Sequence, residues 1–408
     1  MIFSFYSNKV RTIYLSIAMI VATIIFAFSA PGFSQNHDIG ILLADDHGKT
    51  LYQKNEKQLF IPASITKILT SLCALETLGA GYRFETWVGY DPAGPDLYIK
   101  GFGDPLFISE QIQDLADKII QKTRAGSIRN IVLDHGFFQP DIIIPGTGQS
   151  KNPYDATTGA LCANFNTIFF RWDKIQNQFT SAEPQTPLLD IFREELHKSG
   201  KTSGRVLLSR RQRRLYPGLL IKAFLEDRKV SVHGTIKEEH FPAMRPGSTR
   251  IIFKSSFTLD RIIEKLLQFS NNFIANQLML TMGAKEYGSP ATLEIGMNHL
   301  KGFAGSRLGL TDFILIEGSG LSRKNRFSPE QMLKILMAFT PHYRLMKKEG
   351  CEFYKTGTLT DVRTRAGYFT GSDNRLYPFV IMVNQQGTGY AGILQKLKGI
   401  VSKNSTSR

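Results

Sequence analysis

The sequence predicts an α+β fold interrupted by an α/β insertion, and three observations predict it. Strand signals stand near both ends of the chain, at Ile39–Ala44 and in three late runs, Phe353–Leu359, Arg365–Phe369 and Tyr377–Val383. Runs with helical spacing lie just inside them. Between about Arg83 and His240 the rhythm changes to short strand-like runs alternating with helices, punctuated by Gly and Pro. A chain that opens on strands and a buried helix and closes on helices and an antiparallel set can seal one domain from both ends, leaving the middle as an insertion. The expected division is 1–34 as a leader, 35–85 with 241–408 as the closed domain, and 86–240 as the insertion.

The elements follow in chain order. Lys9 and Arg11 precede an apolar run, Ile13–Phe28, and then the small-residue stretch Ser29–Ser34. That is the layout of a secretory signal peptide, and the run is short of the roughly 20 residues a spanning helix prefers. An uncleaved anchor is the alternative. Ile39–Ala44 reads as a strand, Asp46–Lys49 as a turn and Thr50–Tyr52 as its return. After Pro62-Ala63-Ser64, the residues Ile65, Ile68, Leu69, Leu72, Leu75 and Leu78 keep helical spacing until Gly79, on a helix apolar enough to lie inside a domain. In the middle, strands are expected at Trp87–Tyr90, Leu97–Lys100, Asn130–Leu133 and Asp141–Ile144, with a helix at Ile108–Lys122. The basic run Arg210–Arg214 reads as a solvated loop or strand edge, or as a contact for anionic envelope polymer. Helices return at Ile262–Phe269, Phe273–Met282 and Pro329–Phe339, and Thr370–Asn374 turns between the last two strands.

Composition narrows the class. Of 408 residues, 42% are hydrophobic and 21% charged, which fits a globular protein and excludes a disordered, collagen-like or multi-span membrane chain. The formal charge of +15 suits an anionic partner. With an export signal, that partner is an envelope surface, loosely associated, rather than nucleic acid. Three cysteines are too few for a disulfide scaffold and read as mostly buried apolar residues, and the eight histidines form no local metal-binding spacing. Neither a metal nor a cofactor is expected.

Three short motifs carry the chemistry. Ser64-Ile65-Thr66-Lys67 is an SxxK at the start of the buried helix, where i, i+3 spacing brings hydroxyl and amine together. Burial and the helix N-terminus both disfavour the ammonium, so Lys67 can take the serine proton. Alone, such a match is also an ordinary helix start with a solvated lysine. Ser270-Asn271-Asn272 is an SxN between two helical runs, and by itself it is ordinary turn chemistry. Lys355-Thr356-Gly357-Thr358 is a KTG on the first late strand, where glycine suits close approach of another backbone laid along the strand edge. Lys355 and the two threonines offer charge and hydroxyls to a carboxylate. The order SxxK, SxN, KTG, each on the element it needs, is a combination that chance rarely assembles, and it is a known signature of penicillin-binding proteins and class A β-lactamases.

With these motifs the chain resembles the D-alanyl-D-alanine carboxypeptidase/endopeptidase family, the class C low-molecular-mass penicillin-binding proteins. Pro62-Ala63 before the SxxK, Gly101-Phe102-Gly103-Asp104-Pro105, Glu317-Gly318-Ser319-Gly320-Leu321-Ser322-Arg323 and Ala366-Gly367-Tyr368 add to the resemblance. The long separation of Ser64 from Ser270 exceeds that of a β-lactamase and suits a family with an insertion there. The resemblance implies a penicillin-binding-protein/β-lactamase-like transpeptidase domain, an antiparallel sheet with helices on both faces. It implies a serine-type D-Ala-D-Ala carboxypeptidase, with DD-endopeptidase activity less firmly indicated, acting on peptidoglycan stem peptides in the periplasm and trapped covalently by β-lactam antibiotics. Ser64 would be the nucleophile, Lys67 the general base and Ser270 the proton relay to the leaving amine. Asn272 would hold the substrate amide, Lys355 and Thr356 its carboxylate, and the N–H groups of Ser64 and Thr358, beside Gly357, the oxyanion. Within Val132–Phe138, Asp134 is the candidate to face the amine of the peptide's diamino acid, with Phe138 packing nearby; a strand-end structural Asp is the alternative. The insertion is shorter than in larger members, and the stretch before Lys355 is compressed. Two rival functions remain at this stage, a β-lactamase or esterase on the same fold and a catalytically silent envelope-binding protein.

Overall fold

The computed structural model describes residues 38–148 and 155–406. The expected signal peptide, residues 1–34, lies outside the described residues. Among the described residues no helix is long and apolar enough to cross a membrane.

The two ends of the chain meet in one six-stranded antiparallel sheet. Its order is Lys347–Glu349, Glu352–Leu359, Val362–Thr370, Leu376–Val383, Ile39–Ala44 and Thr50–Lys54. The N-terminal strand pairs with the last one, Ile39 opposite Val383 and Leu43 opposite Phe379. Side chains alternate across the pleat. Leu42, Ala44, Val380 and Met382 enter the larger core, while Ile41, Leu43, Phe379, Ile381 and Val383 face the C-terminal helix Ala391–Thr406 through Leu397 and Val401. Helices therefore cover both faces of the sheet, as the sequence predicts.

The larger core surrounds the helix Lys67–Leu78. Every residue from Lys67 to Leu75 is buried, so the helix has no solvent face until its last turn, where Glu76 is exposed, and helices Leu259–Phe269, Asn272–Tyr287, Leu293–Leu308 and Pro329–Phe339 share its core. Leu293–Leu308 and Ala391–Thr406 escape the sequence reading, because glycines and polar residues blur their periodicity.

A second sheet of five strands runs Ile236–Glu238, Ile131–Asp134, Asp96–Gly101, Glu85–Asp91 and Thr249–Lys254. Its first three strands are parallel, and the crossover between Asp96–Gly101 and Ile131–Asp134 is the helix Ser109–Thr123. Thr249–Lys254 lies beyond residue 240 and pairs antiparallel along Glu85–Asp91. A separate three-stranded sheet, Gln178–Ser181, Thr167–Asp173 and Ser203–Leu207, was not expected.

Two expectations are corrected. Arg210–Arg214 is neither loop nor strand edge but the opening of the helix Arg210–Asp227, capped by a reciprocal Ser209–Gln212 box. Positive charge at a helix N-terminus is unfavourable. It is offset by Asp141, which pairs with Arg210 and Arg213, and by Glu238, which pairs with Arg214. Asp141–Ile144 is not a strand: Asp141 takes a left-handed backbone (φ 57°) and turns its carboxylate to those arginines. Of the cysteines, Cys73 and Cys162 are buried and Cys351 is exposed, all three as free thiols.

The strand carrying the KTG motif is anchored at its start by charge. Glu352 is 2% exposed and pairs with Arg365 on the next strand and Lys398 on the C-terminal helix. The Arg365 guanidinium also lies 3.5 Å from the centroid of the Tyr354 ring. Glu352→Ala should leave Arg365 buried without its counter-charge and cost about 3 kcal/mol. Urea unfolding of the two proteins checks this, and a loss below about 1 kcal/mol would show that Lys398 and Arg365 are not held by Glu352.

Candidate active site

Ser64 sits in a single 3-10 turn, Ala63–Thr66, that leads into the buried helix. Its backbone is clamped from two sides. Ala63 adopts φ 50°, a left-handed conformation that costs an alanine of order 1 kcal/mol or more. Gly320 packs so closely that a Cβ there would lie 1.8 Å from the Ala63 carbonyl oxygen. On the other side a Cβ at Gly357, within the KTG, would meet the Ser64 nitrogen at 2.8 Å and Thr364 Oγ1 at 2.3 Å. The Thr364 hydroxyl donates to the Pro62 carbonyl at 2.8 Å, and Asn384 Oδ1 accepts from the Ile61 N–H at 2.7 Å. The backbone at Ser64 is thus pinned by the sheet beneath it and by the turn beside it.

Lys67 has no exposed surface, and its Nζ lies 2.9 Å from Ser64 Oγ, 2.6 Å from Asn272 Oδ1 and 2.6 Å from the Ser319 carbonyl. Burial pushes its ammonium down to about 7, against the charges of Glu317 and Asp155, which hold the proton on. The hydrogen-bond geometry then assigns direction. A neutral amine has two N–H donors and one lone pair. Asn272 Oδ1 and the Ser319 carbonyl can only accept, so they take both donors, and the lone pair is left for the Ser64 hydroxyl.

Asn272 begins the helix Asn272–Tyr287, and its Nδ2 donates to Asp155 Oδ1 at 2.9 Å, which fixes the orientation of the amide. Ser270 stands two residues earlier in a left-handed bend (φ 55°) that closes the helix Leu259–Phe269, and its hydroxyl makes no hydrogen bond among the described residues. Asn271 caps the second helix by accepting from the Ile274 N–H at 3.0 Å. The SxN is therefore a junction between two helices, as its sequence context suggests.

Lys355, 2% exposed, donates to the Thr356 carbonyl at 2.6 Å. Burial holds its ammonium well below the ordinary lysine range, and the charge of Lys67 adds to that effect. Thr356 is partly exposed and Thr358 exposed. Lys347–Glu349 pairs only with Glu352–Tyr354, so from Lys355 to Leu359 the strand is bonded on the Val362–Thr370 side alone. Ser64, Lys67, Asn272 and the KTG strand are thereby brought together.

Asp134 and Phe138 are not brought into this cluster. Asp134, 3% exposed, accepts from Lys100 Nζ at 3.0 Å, the Gly136 N–H at 2.7 Å and the Phe241 N–H at 2.8 Å. Burial alone would raise its carboxyl, but the Phe241 and Gly136 amides and Lys100 outweigh it and hold the group below the usual range. Phe138 is a core residue stacked on Phe137 and packed over Gly103. Sequence reading missed Glu317 and Ser319 as parts of the site, although their segment was noticed, and it missed Asp155, Asn276 and Thr364. None of these shares a local spacing with Ser64.

The chain belongs to the D-Ala-D-Ala carboxypeptidase 3 (S13) family, which it matches over residues 31–189 and 196–348. The KTG strand lies beyond that match and is joined to it by the structure. A D-alanyl-D-alanine carboxypeptidase of an Actinomadura species is 22% identical over 409 aligned positions, covering 83% of this chain and 76% of the relative. In fold the chain is similar to penicillin-binding protein 4 of Haemophilus influenzae (TM-score 0.72, 18% identity, 90% of this chain and 96% of that one). It is also similar to a predatory peptidoglycan endopeptidase of Bdellovibrio bacteriovorus (TM-score 0.54, 19% identity, 90% and 92%).

Two predictions follow from the geometry. Gly357→Ala should displace Thr364 from Pro62 and push the Ser64 backbone aside, slowing acylation by about 100-fold in a protein that still folds; rates within a fewfold of wild type would refute the clamp. Because Lys67 loses its proton near 7, acylation should rise through that pH and fall about tenfold per unit below it. An acid limb in the carboxylate range, measured as rate against pH, would assign the base to an acid instead.

Proposed function

We propose that this protein is a serine-type D-Ala-D-Ala carboxypeptidase that trims peptidoglycan stem peptides through an acyl-enzyme on Ser64. The observation that carries the reading is the buried Lys67 amine, 2.9 Å from Ser64 Oγ and flanked by two oxygens, Asn272 Oδ1 and the Ser319 carbonyl, that can take both its N–H groups when it is neutral. The Ser64 hydroxyl adds to the carbonyl of the penultimate D-alanine as its proton passes to Lys67. The peptide lies along the unpaired edge of the KTG strand as an added strand. Backbone N–H groups of Ser64 and Thr358 receive the oxyanion. The C–N bond then breaks, and Ser270 relays a proton to the leaving D-alanine amine. Water attacks the ester with Lys67 again taking the proton, which restores Ser64.

Asn272 holds the substrate amide, and Lys355 with Thr356 holds the terminal carboxylate. Lys355 and Lys67 are both buried, and burial disfavours two ammonium groups side by side. An arriving carboxylate supplies the missing charge, which supports a substrate with a free C-terminus. A β-lactam carries a comparable carboxylate and strained amide, and the same attack leaves it on Ser64 as a covalent adduct. The basic leader and apolar run of residues 1–34 support export to the periplasm, and the +15 charge supports loose association with an anionic envelope surface. Residues 86–240 form the inserted region of this reading; they supply most of the five-stranded sheet, and Thr249–Lys254 adds its edge strand from beyond that range.

The test is incubation of the exported protein and its Ser64→Ala variant with a fluorescent penicillin, followed by a denaturing gel. A stable band with wild type and none with the variant is expected. Rapid appearance of hydrolysed penicillin without a band would indicate a β-lactamase, and neither product nor band would indicate a silent pocket.

A further inference from the structure

Glu317 has no exposed surface, yet no lysine, arginine or histidine forms an ion pair with it among the described residues. A carboxylate in that position is costly unless its lone pairs are filled. They are filled by its own turn. Oε2 accepts from the Ser319 N–H at 2.7 Å and the Ser319 hydroxyl at 2.5 Å. Oε1 accepts from the Ser322 N–H at 3.1 Å and Asn325 Nδ2 at 2.8 Å, and Asn325 Oδ1 returns to the Ile316 N–H at 2.7 Å. The carboxylate gathers residues 316–325 around itself.

With the donors of this turn drawn inward, its carbonyls point outward to the buried helix. Thr70 Oγ1 donates to the Gly318 carbonyl at 2.5 Å, and Lys67 Nζ to the Ser319 carbonyl at 2.6 Å. The Gly318 N–H docks on Asn276 Oδ1 at 3.0 Å, and Asn276 Nδ2 donates to the Asn272 carbonyl at 3.1 Å. Gly320 then closes against Ala63, next to the nucleophile. One of the two acceptors that direct the Lys67 lone pair is thus placed by Glu317. Were the Ser319 carbonyl to swing away, an N–H of Lys67 could turn toward Ser64 and the lone pair elsewhere.

We propose that Glu317 is a positioning residue for acylation: its carboxylate shapes the turn that holds the Ser319 carbonyl on Lys67. The inference rests on the reading of Ser64 and Lys67 as nucleophile and base. The groups that face Lys67 are Ser64 on its own lead-in turn, Asn272 on the neighbouring helix, Asp155, Lys355 on the KTG strand, and the turn carrying Glu317 and Ser319. Asp155 and Glu317 favour the protonated lysine, and Lys355 opposes it when charged.

The experiment measures the acylation rate by a fluorescent penicillin between about pH 5 and 9 for wild type, Glu317→Gln and Glu317→Asp, with a thermal melt of each. Removing the Glu317 charge lets Lys67 lose its proton more readily. The acid limb of Glu317→Gln should therefore move down by roughly one pH unit. A glutamine oxygen cannot fill all four contacts, so its plateau should drop about tenfold or more. Glu317→Asp keeps the charge but shortens the reach, and should lower the plateau with the limb unmoved. A merely structural role would reduce the folded fraction and leave every limb in place. A Glu317→Gln limb that coincides with wild type, or a plateau within twofold of it, overturns the proposal. Should Glu317→Gln not fold, Glu317→Asp decides, because a wild-type plateau or a shifted limb there is equally fatal. Failure of the wild type itself to acylate would instead overturn the reading of Ser64, so the two failures are distinguishable.

Discussion

The structure is organised around one buried amine. Lys67 stands in an interior that excludes water, and three oxygens surround it. Two of them can only accept, and this asymmetry leaves the lone pair of a neutral Lys67 facing Ser64. The arrangement needs three parts of the chain that are far apart in sequence. The helix Lys67–Leu78 supplies the amine, the junction at Ser270–Asn272 supplies an amide oxygen, and the turn at Glu317–Asn325 supplies a carbonyl. Burying that helix on all sides is what makes the amine easy to deprotonate, so the large core is part of the chemistry as well as of stability.

A second constraint is steric. The backbone leading to Ser64 is in a left-handed bend at Ala63, and it persists because two glycines from separate elements close on it. A side chain at Gly320 or Gly357 would intrude on the bend, and only a sheet closed by the two ends of the chain brings the KTG strand to that place. The insertion is tied to the same centre. Gln277 on the Asn272 helix donates to the carbonyls of Gly103 and Gly159, and Gly159 donates back to Gln277. A Cβ at Gly103 would meet Thr281 Oγ1 on that helix at 2.8 Å, so this glycine serves close packing of the Gly101–Pro105 segment against the helix that positions Asn272.

What the sequence made legible was whatever depends on local spacing or on the alternation of apolar residues. Ser64 and Lys67 are three apart on one turn, the SxN sits at a break between two apolar runs, and the late strands are short runs divided by a clear turn signal at Thr370–Asn374. The antiparallel sheet closed from both ends followed from these. Features set by long-range contact were hidden. Nothing local marks Glu317 as the organiser of a turn, or Asp155 as the partner of Asn272, because each acts on residues brought to it by folding. The helix Arg210–Asp227 was obscured by its own charge, since an arginine run at a helix start contradicts the usual dipole preference and is tolerated only beside Asp141 and Glu238. Asp134 shows the converse. Its place at a strand end invited a binding role, while the fold fills its carboxylate with Lys100 and two backbone amides.

The two buried lysines also set what the cleft accepts. In the empty site Lys67 feels Glu317 and Asp155, whereas Lys355 has only the neutral Thr356 carbonyl and the repulsion of Lys67. The imbalance separates their tasks. The lysine with acids nearby stays close to its midpoint at neutral pH and can exchange a proton, and at the lysine without one an arriving anion would favour the charged form. Substrate carboxylate binding and Lys355 protonation are therefore one linked event. A buried lysine whose bonded partner is a neutral carbonyl favours an anionic group over a neutral one beside it, so the electrostatics around the KTG strand are selective for negative charge.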